Sequence, residues 1–314
     1  MTVRPFDWRD LGYLHHIRLN SVYLDSALLL TRGSQLVPGA LFSYLAPGLG
    51  IFTAVSDSPE KISTDRNTVI GQIIHLQGSS FAHLTYLTPE EALESPELGA
   101  VLDYLISIAG GRGAFRLLAD IDDRTGTYEM MRMAGFATYS RQRIWQLTRH
   151  LPIQASNRGW RVATRKDILA IRLLYNNLVP GLVQQIEPIS TDQKPRGMVF
   201  GQDDDLLAYV EIRYGHRGIW MQPFVHPDAQ NITEHFTDLL QRITNRGSRP
   251  VYICIRSYQS WLEPALEELG AEVGVRQAVM VKHLGKMQKV ARLQGVPALE
   301  TGHPEVTTPI ANMK

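Results

Sequence analysis

The feature that most constrains the fold is a repeat: the last part of each half of the chain carries the same order of residues. The stretch that begins FRLLADIDDRTGTYEMM (residues 115–147) aligns without a gap on the stretch that begins PVYICIRSYQSWLEPAL (residues 250–284). The alignment matches one glycine and one Arg-Gln pair between the copies: Gly135 with Gly270, and Arg141-Gln142 with Arg276-Gln277. Each copy predicts a strand, a helix ended by a glycine, and two closing strands. The chain is therefore predicted to fold as two similar halves.

The earlier parts of the halves repeat as well. Near each start, an arginine and an aspartate stand six residues apart, as Arg4 and Asp10 and as Arg161 and Asp167, in a pattern typical of a short strand followed by a helix. Residues 69–89 and 206–227 each hold two alternating apolar runs around a glycine-containing turn, which predicts a β-hairpin in each half.

Between these parts each half has a Pro- and Gly-rich variable segment. The predicted order in each half is strand, helix, variable segment, three strands, helix, strand, helix and two strands. A polar boundary at Leu151–Gly159 separates the halves. The predicted domains are residues 1–150 and 158–285, followed by a flexible tail at 286–314.

Composition excludes several classes of protein. Lys and Arg number 32 against 31 for Asp and Glu, so the net charge of +1 gives no electrostatic signature of a nucleic-acid partner or an anionic membrane partner. No window approaches the length of apolar sequence that spans a membrane. The single cysteine, Cys254, excludes a disulfide framework within the chain. We expect a cytoplasmic protein, and the sequence leaves its oligomeric state open.

The order of elements resembles the GCN5-related N-acetyltransferase (GNAT) superfamily, carried twice. The resemblance covers nearly the whole chain, and its recurrent feature is the helix that ends at Gly135 or Gly270 before the closing part of the sheet. It implies an α/β fold with a mixed sheet in each of two tandem copies. It also implies that the fourth and fifth strands part to admit an acyl-CoA, either acetyl-CoA or another, whose pyrophosphate binds backbone N–H groups at the start of the next helix.

In the second half this position reads QNITEH, where Gln230 matches the Arg or Gln of the family loop, but Thr233 and His235 replace its small residues. The alternative is a helix capped by Asp228 that holds no ligand. The resemblance assigns the cofactor contacts to the strand end, the helix start and one later glutamine: Phe224, Val225, Gln230, Asn231, Ile232, Thr233 and Gln259.

The first half is less suited to bind a phosphate, because four glutamates surround its corresponding helix start: Glu90, Glu91, Glu94 and Glu97. Their charge suits the helix dipole but repels a pyrophosphate. We therefore expect a structural role for this half and acyl-CoA binding in the second half alone.

The catalytic groups are less clear. The tyrosine that often donates a proton in this family is replaced at both positions, by Met131 and by Leu266. Glu211, on a predicted strand, is a weak candidate for the base that deprotonates an amine, and a solvent-facing strand residue is the alternative reading. His75 and His83 would be near neighbours across a hairpin, but with no third ligand in the sequence they predict no metal site.

Two functions remain open. The first is an acyl-CoA-dependent N-acyltransferase that acts on a small-molecule or protein amine, with its site in the second half. The second is a noncatalytic double GNAT-like module that binds a ligand or a partner. The loop residue Gln230 favours the first, whereas the replaced loop residues and the missing tyrosine favour the second.

Overall fold

A computed structural model describes residues 2–57, 68–148, 159–189, 194–202, 205–244 and 246–284. The predicted tail at 286–314 and most of the predicted boundary segment lie outside these residues. Within them, no helix is both long enough and apolar enough to cross a membrane.

The elements follow one another in the same order in both halves, apart from an extra short strand and the different helices of the variable segments. The first half contains β1 (Thr2–Pro5), α1 (Leu11–Ile17), β2 (Val22–Tyr23), α2 (Ser26–Arg32), α3 (Leu36–Leu45), β3 (Ile51–Asp57), β4 (Ile70–Ile74), β5 (Phe81–Thr88), α4 (Glu97–Gly111), β6 (Arg116–Asp122), α5 (Gly126–Met133) and β7 (Ala137–Leu147). The second half contains β8 (Arg161–Val162), α6 (Ile168–Leu178), α7 (Gly181–Ile186), β9 (Gly197–Gln202), β10 (Asp205–Tyr214), β11 (Ile219–Val225), α8 (Ile232–Gln241), β12 (Val251–Arg256), α9 (Glu263–Glu268) and β13 (Glu272–His283).

The two arginine–aspartate pairs make the same contact in each half. Arg4 and Arg161 each place two guanidinium nitrogens on the carboxylate six residues later, at 2.7 Å in the first half and at 2.6 and 2.8 Å in the second. Asp10 and Asp167 also accept the backbone N–H three residues before them, at 2.8 Å in both cases. Each aspartate thereby fixes the turn that leads from the first strand of its half into the first helix.

The two matched glycines end equivalent helices. Gly135 has φ +87° and Gly270 has φ +68°, in the left-handed region that favours glycine. The residue after each glycine donates its N–H to the carbonyl five positions earlier, on Met131 or Leu266, at 3.0 Å. The prediction of two helices ended by glycine is confirmed.

The closing part of each half differs from the prediction of two strands. Each half has one long strand instead, β7 or β13, which runs through the whole segment after the glycine without a turn. β13 of the second half lies between β6 and β7, and β7 of the first half lies between β13 and β12. The halves therefore exchange their last strands.

This exchange makes one continuous sheet of all the described strands, in place of two separate ones. Its order is β1-β3-β4-β5-β6-β13-β7-β12-β11-β10-β9-β8, with β2 paired to β5 off this path. Ala278 and Met280 of β13 lie in the core of the first half, whereas Trp145 and Leu147 of β7 lie in the core of the second. Each core is thus completed by a strand from the other half.

The Arg-Gln pairs meet at the centre of the exchange. Gln142 and Gln277 stand opposite each other in the antiparallel register of β7 and β13, and Gln142 Nε2 donates to Gln277 Oε1 at 2.9 Å. Arg141 and Arg276 both contact the carboxylate of Asp123, at 3.5 and 2.7 Å. The two pairs occupy equivalent places on the exchanged strands, as the gap-free alignment predicts.

Candidate functional site

The opening between β11 and β12 is a feature of the second half that can admit a ligand. These parallel strands pair only from Ile219 to Met221, and β11 continues to Val225 without β12 beside it. The N–H of His226 donates to the Leu207 carbonyl of β10. Because the backbone groups of successive strand residues point to opposite sides, the Pro223 C=O and the Val225 N–H point away from β10 and toward the opening. The backbone there presents the edge that an extended ligand can pair with.

The corresponding opening of the first half is filled by the chain itself. β5 and β6 pair only from Phe81 to His83, and β2 then pairs with the rest of β5. The N–H of Leu24 donates to Thr85 O at 2.9 Å, and the Leu24 C=O accepts from the N–H of Asp120 at 2.8 Å. Leu24 has no exposed surface. This residue therefore occupies the place that a ligand would take between the parted strands.

The amide of Gln259 lies at the open end of the cleft, beside the last residue of β11. This side chain is buried, and its Nε2 donates to the Val225 carbonyl at 3.2 Å. Val225, one of the two strand-end residues that the resemblance assigns to cofactor binding, is thus hydrogen-bonded to Gln259, which has the same assignment. Phe224, the other strand-end residue, is buried and stacks on Tyr209 at 6.1 Å between ring centroids.

The start of α8 has a different cap from the one predicted. Asn231 is the capping residue, with φ +54° in the left-handed region, and its side chain makes no capping bond. The capping role predicted for Asp228 is wrong, because that carboxylate is largely exposed and lies 3.5 Å from His226 Nδ1. Among the described residues, the N–H groups of Ile232 and Thr233 have no hydrogen-bond acceptor. Two donors at this helix start are therefore free for an anion.

A carboxylate also stands at the same helix start. Thr233 Oγ1 donates to Glu268 Oε2 of α9 at 2.6 Å, and the bond is exposed. Gln230 and Asn231 are exposed beside it, and Ile232 packs in part against the core of the second half. The free N–H groups attract an anion at this place, whereas Glu268 repels one.

A buried ion pair at the C-terminal end of β12 was not predicted from the sequence. Arg256 Nη2 donates to both carboxylate oxygens of Glu187, at 2.8 and 2.9 Å, and the Tyr139 hydroxyl donates to the same carboxylate. Burial by itself raises the pKa of Glu187, but Arg256 and Tyr139 outweigh it and leave that pKa below its ordinary value. Arg256 Nε and Nη1 are buried and have no hydrogen-bond partner among the described residues. Unsatisfied donors on a buried arginine are uncommon and suit an oxygen acceptor.

Further ionisable groups adjoin this pair, among them Asp120 and Tyr258. Burial raises the pKa of Asp120, which accepts the N–H of Ser26 at 3.2 Å and interacts electrostatically with Arg256. Burial also raises the pKa of Tyr258, whose hydroxyl therefore keeps its proton as a possible donor. Asp120 and Tyr139 come from the first half and Glu187 and Arg256 from the second, so a sequence pattern confined to one half gives no sign of the cluster.

Glu211, the predicted candidate base, lies on β10 and is partly exposed. Its Oε1 accepts from Arg213 Nε at 2.9 Å, two residues along the same face of the strand. It interacts electrostatically with Tyr209 and Tyr175, whose rings face the same side of the sheet. The structure thus places Glu211 on the same face of the sheet as Tyr209 and Tyr175.

Of the other residues singled out from the sequence, His83 interacts electrostatically with Asp120 and Glu187, whereas the rest lie in the cores or in the β4–β5 hairpin. Met131 and Leu266 have no exposed surface and belong to the two cores. His75 and His83 do not face each other across the hairpin. His83 stands opposite Ile74, and the Nε2 atom of His75 contacts Ser79 O at 2.9 Å. In the described part of the chain, no group of three or more His, Cys, Asp or Glu side chains could hold a metal ion.

Known proteins share this architecture but not the sequence. No family model matches the chain, and no curated protein matches it in sequence. A GCN5-related N-acetyltransferase from Sphaerobacter thermophilus has a similar structure, with a TM-score of 0.53 and 11% identity over 90% of this chain and 95% of that one. A tandem GNAT protein from the clavulanic acid biosynthesis pathway, without AcCoA, gives a TM-score of 0.52 and 14% identity over 90% and 98% of the two chains.

The chain has the GNAT fold, in two tandem copies. In this GNAT architecture the fourth and fifth strands of the two halves are β5 with β6 and β11 with β12, and both pairs part as the resemblance implies. Only the second GNAT copy keeps its opening free of backbone from the variable segment, within the residues that the structure describes.

Proposed function

We propose that the protein is a GNAT-type N-acyltransferase that binds an acyl-CoA between β11 and β12 and transfers the acyl group to a small-molecule or protein amine. The observation that carries this proposal is the difference between the two openings. The first is filled by Leu24, and the second presents the Pro223 C=O, the Val225 N–H and the free N–H groups at the start of α8. The amide groups of an extended ligand can pair with the first two, and a pyrophosphate with the others.

The chemistry requires an amine to lose a proton and a thiolate to gain one. Glu211 is the candidate acceptor, since it lies on the same face of the sheet as Tyr209 and Tyr175 and is partly exposed. Tyr258 is the candidate donor, since burial raises its pKa and it lies two residues after the end of β12. The unsatisfied nitrogens of Arg256 are the candidate donors to a carbonyl oxygen of the bound substrate.

A noncatalytic ligand-binding role is the second candidate, and one contact favours it. The bond from Thr233 to Glu268 holds a carboxylate at the place where a pyrophosphate would bind. Such a contact weakens acyl-CoA binding in the native chain, and Leu266 replaces the usual acid.

The test is titration of acetyl-CoA into the full chain, followed by calorimetry, with native protein, Thr233→Gly and Glu268→Gln. Removing one like charge at about 6 to 8 Å from a phosphate corresponds to roughly 1 kcal/mol, so Glu268→Gln should tighten binding about fivefold. Thr233→Gly should also tighten it, because the backbone can then approach the phosphate. Glu267→Gln, an exposed neighbour on α9, is the matched control and should leave the affinity unchanged.

Release of CoA from acetyl-CoA with a panel of amines separates the two functions. Turnover that falls in Glu211→Gln while acetyl-CoA affinity stays constant supports the transferase. Binding without turnover for any amine supports the noncatalytic module. Absence of binding in the native chain and in both variants would rule out the acyl-CoA site.

A further inference from the structure

A second candidate site lies at the junction of the two halves, away from the start of α8. A cavity of about 420 Å3 opens to solvent between the end of α2 and the hairpin that joins β10 to β11. Its volume falls in the range of small-molecule sites, about 300 to 1,000 Å3. The lining residues are Arg32, Gln35, Tyr214, Gly215, His216 and Arg249.

The walls of this cavity are held in place by backbone contacts. The N–H of Arg217 donates to Thr31 O at 2.9 Å, and a Cβ on Gly215 would lie 2.1 Å from the same oxygen. Arg249 Nη1 donates to the Gly215 carbonyl at 2.6 Å. The hairpin of the second half is therefore docked closely on α2 of the first half, and the cavity takes residues from both.

The lining is cationic, although the whole chain is almost neutral. Among the described residues, it contains the guanidinium groups of Arg32 and Arg249 and the imidazole of His216, and no carboxylate. Arg246 adds a further positive charge behind it, because its buried side chain donates to the carbonyls of Arg249 and Leu147 at 3.2 and 3.0 Å. Burial lowers the pKa of Arg246 below its ordinary value.

Some of these basic side chains have a packing role in the structure, but two of them do not. Arg217, close to the cavity, packs on Gly33, and Arg249 fixes the hairpin turn. In the described part of the chain, the side chains of Arg32 and His216 contact no acceptor, and both are exposed. These two groups, one from each half, face the same open cavity.

We propose that this cavity binds a phosphorylated small molecule, whose phosphate lies between Arg32 and His216. Guanidinium and imidazole N–H groups donate to phosphate oxygens, and the Tyr214 hydroxyl and the Gln35 side chain offer further polar contacts. Because the ligand would touch both halves, it would hold the hairpin of the second half against α2 of the first. The site does not depend on the proposed acyl-CoA site, since it lies at the other end of β11 from α8.

The test is calorimetric titration of inorganic pyrophosphate and of glycerol 3-phosphate into the full chain at low salt, with glycerol as the uncharged comparison. We expect both phosphates to bind and glycerol not to bind. Arg32→Gln and His216→Gln should each weaken binding, with loss of the arginine worth about tenfold. Arg172→Gln, which removes an exposed arginine of α6, is the matched control and should change nothing.

Three results would overturn the proposal: no binding of either phosphate, equal binding in native protein and Arg32→Gln, or equal weakening in Arg32→Gln and Arg172→Gln. Excess CoA gives a further check. If CoA displaces pyrophosphate while Arg32→Gln has no effect, the phosphate binds at the start of α8 and the proposed cavity site is wrong.

Discussion

At the scale of single residues, one buried ion pair joins groups that lie far apart in the chain. Arg256 and Glu187 are 69 positions apart and form an ion pair whose side chains are 8% and 23% exposed. Tyr139 joins them from the first half. The sequence predicts the strand that carries Arg256 but not this contact, because nothing in the local pattern says which groups meet across the exchanged strands.

Arg256→Gln should therefore be one of the most destabilising polar substitutions in the chain. It leaves Glu187 buried without its cation, which typically costs about 3 kcal/mol or more. Arg143→Gln is the matched control, because Arg143 bonds Glu263 at a similar 2.9 Å but is 42% exposed, and its loss should cost about 1 kcal/mol or less. Denaturation by urea gives both free energies of unfolding. Equal losses in the two variants would show that burial does not decide the strength of the Arg256 pair.

The turn at Asp167 gives a prediction about pH. Hydrogen bonds from Arg161 lower the pKa of Asp167 below its ordinary value, with help from Thr164. A lowered pKa means that the ionised form stabilises the fold above the unfolded-state pKa of about 4, and that this stability is lost as the pH falls further toward the folded-state pKa.

Asp167→Asn should therefore cost about 1 kcal/mol of unfolding free energy at pH 7 and progressively less below about pH 4. Asp10 makes the same type of contacts at the equivalent turn of the first half, so Asp10→Asn serves as the internal comparison. Urea denaturation from pH 3 to 7 provides the measurement. A cost for Asp167→Asn that stays constant with pH would contradict this account.

At the scale of elements, period and turn chemistry predict much of the chain correctly. The hairpin of β10 and β11 and the glycine-ended helix α9 follow from local residues. Alternation of apolar residues identifies a strand, but it does not identify the strand's partner. The pairing of β13 with β6 spans more than 150 residues, so the exchange becomes visible only in the structure.

The exchange predicts how fragments of the chain behave. Residues 1–150 lack β13, and residues 151–314 lack β7, so each fragment alone leaves one core without a strand that supplies buried residues such as Met280 or Trp145. Neither fragment should unfold cooperatively by itself, whereas an equimolar mixture refolded together should form a 1:1 complex with the circular dichroism spectrum of the intact chain. A monomeric fragment with a cooperative thermal transition of its own would contradict the strand exchange.

At the scale of the whole molecule, the two similar halves differ at the opening between their parted strands, where the second half has the proposed acyl-CoA site. The sequence predicts this asymmetry from the glutamates near the start of α4, but the structure shows a more direct cause in Leu24. A strand of two residues such as β2 is too short to produce a periodic pattern, so the filled opening could not be predicted from the sequence. The family resemblance predicts the open cleft of the second half, but it does not predict the buried cluster of Arg256, Glu187 and Tyr139 beside it.

Amide hydrogen exchange of the intact chain, with and without saturating acetyl-CoA, tests the central claim most directly, because it locates the ligand without separating the halves. We predict slower exchange in residues 223–235, where the edge of β11 and the start of α8 would bind the cofactor, and no change in residues 22–25 and 84–88, where β2 already fills the first opening. Protection that appears in residues 22–25 and 84–88 while residues 223–235 are unaffected would contradict the account.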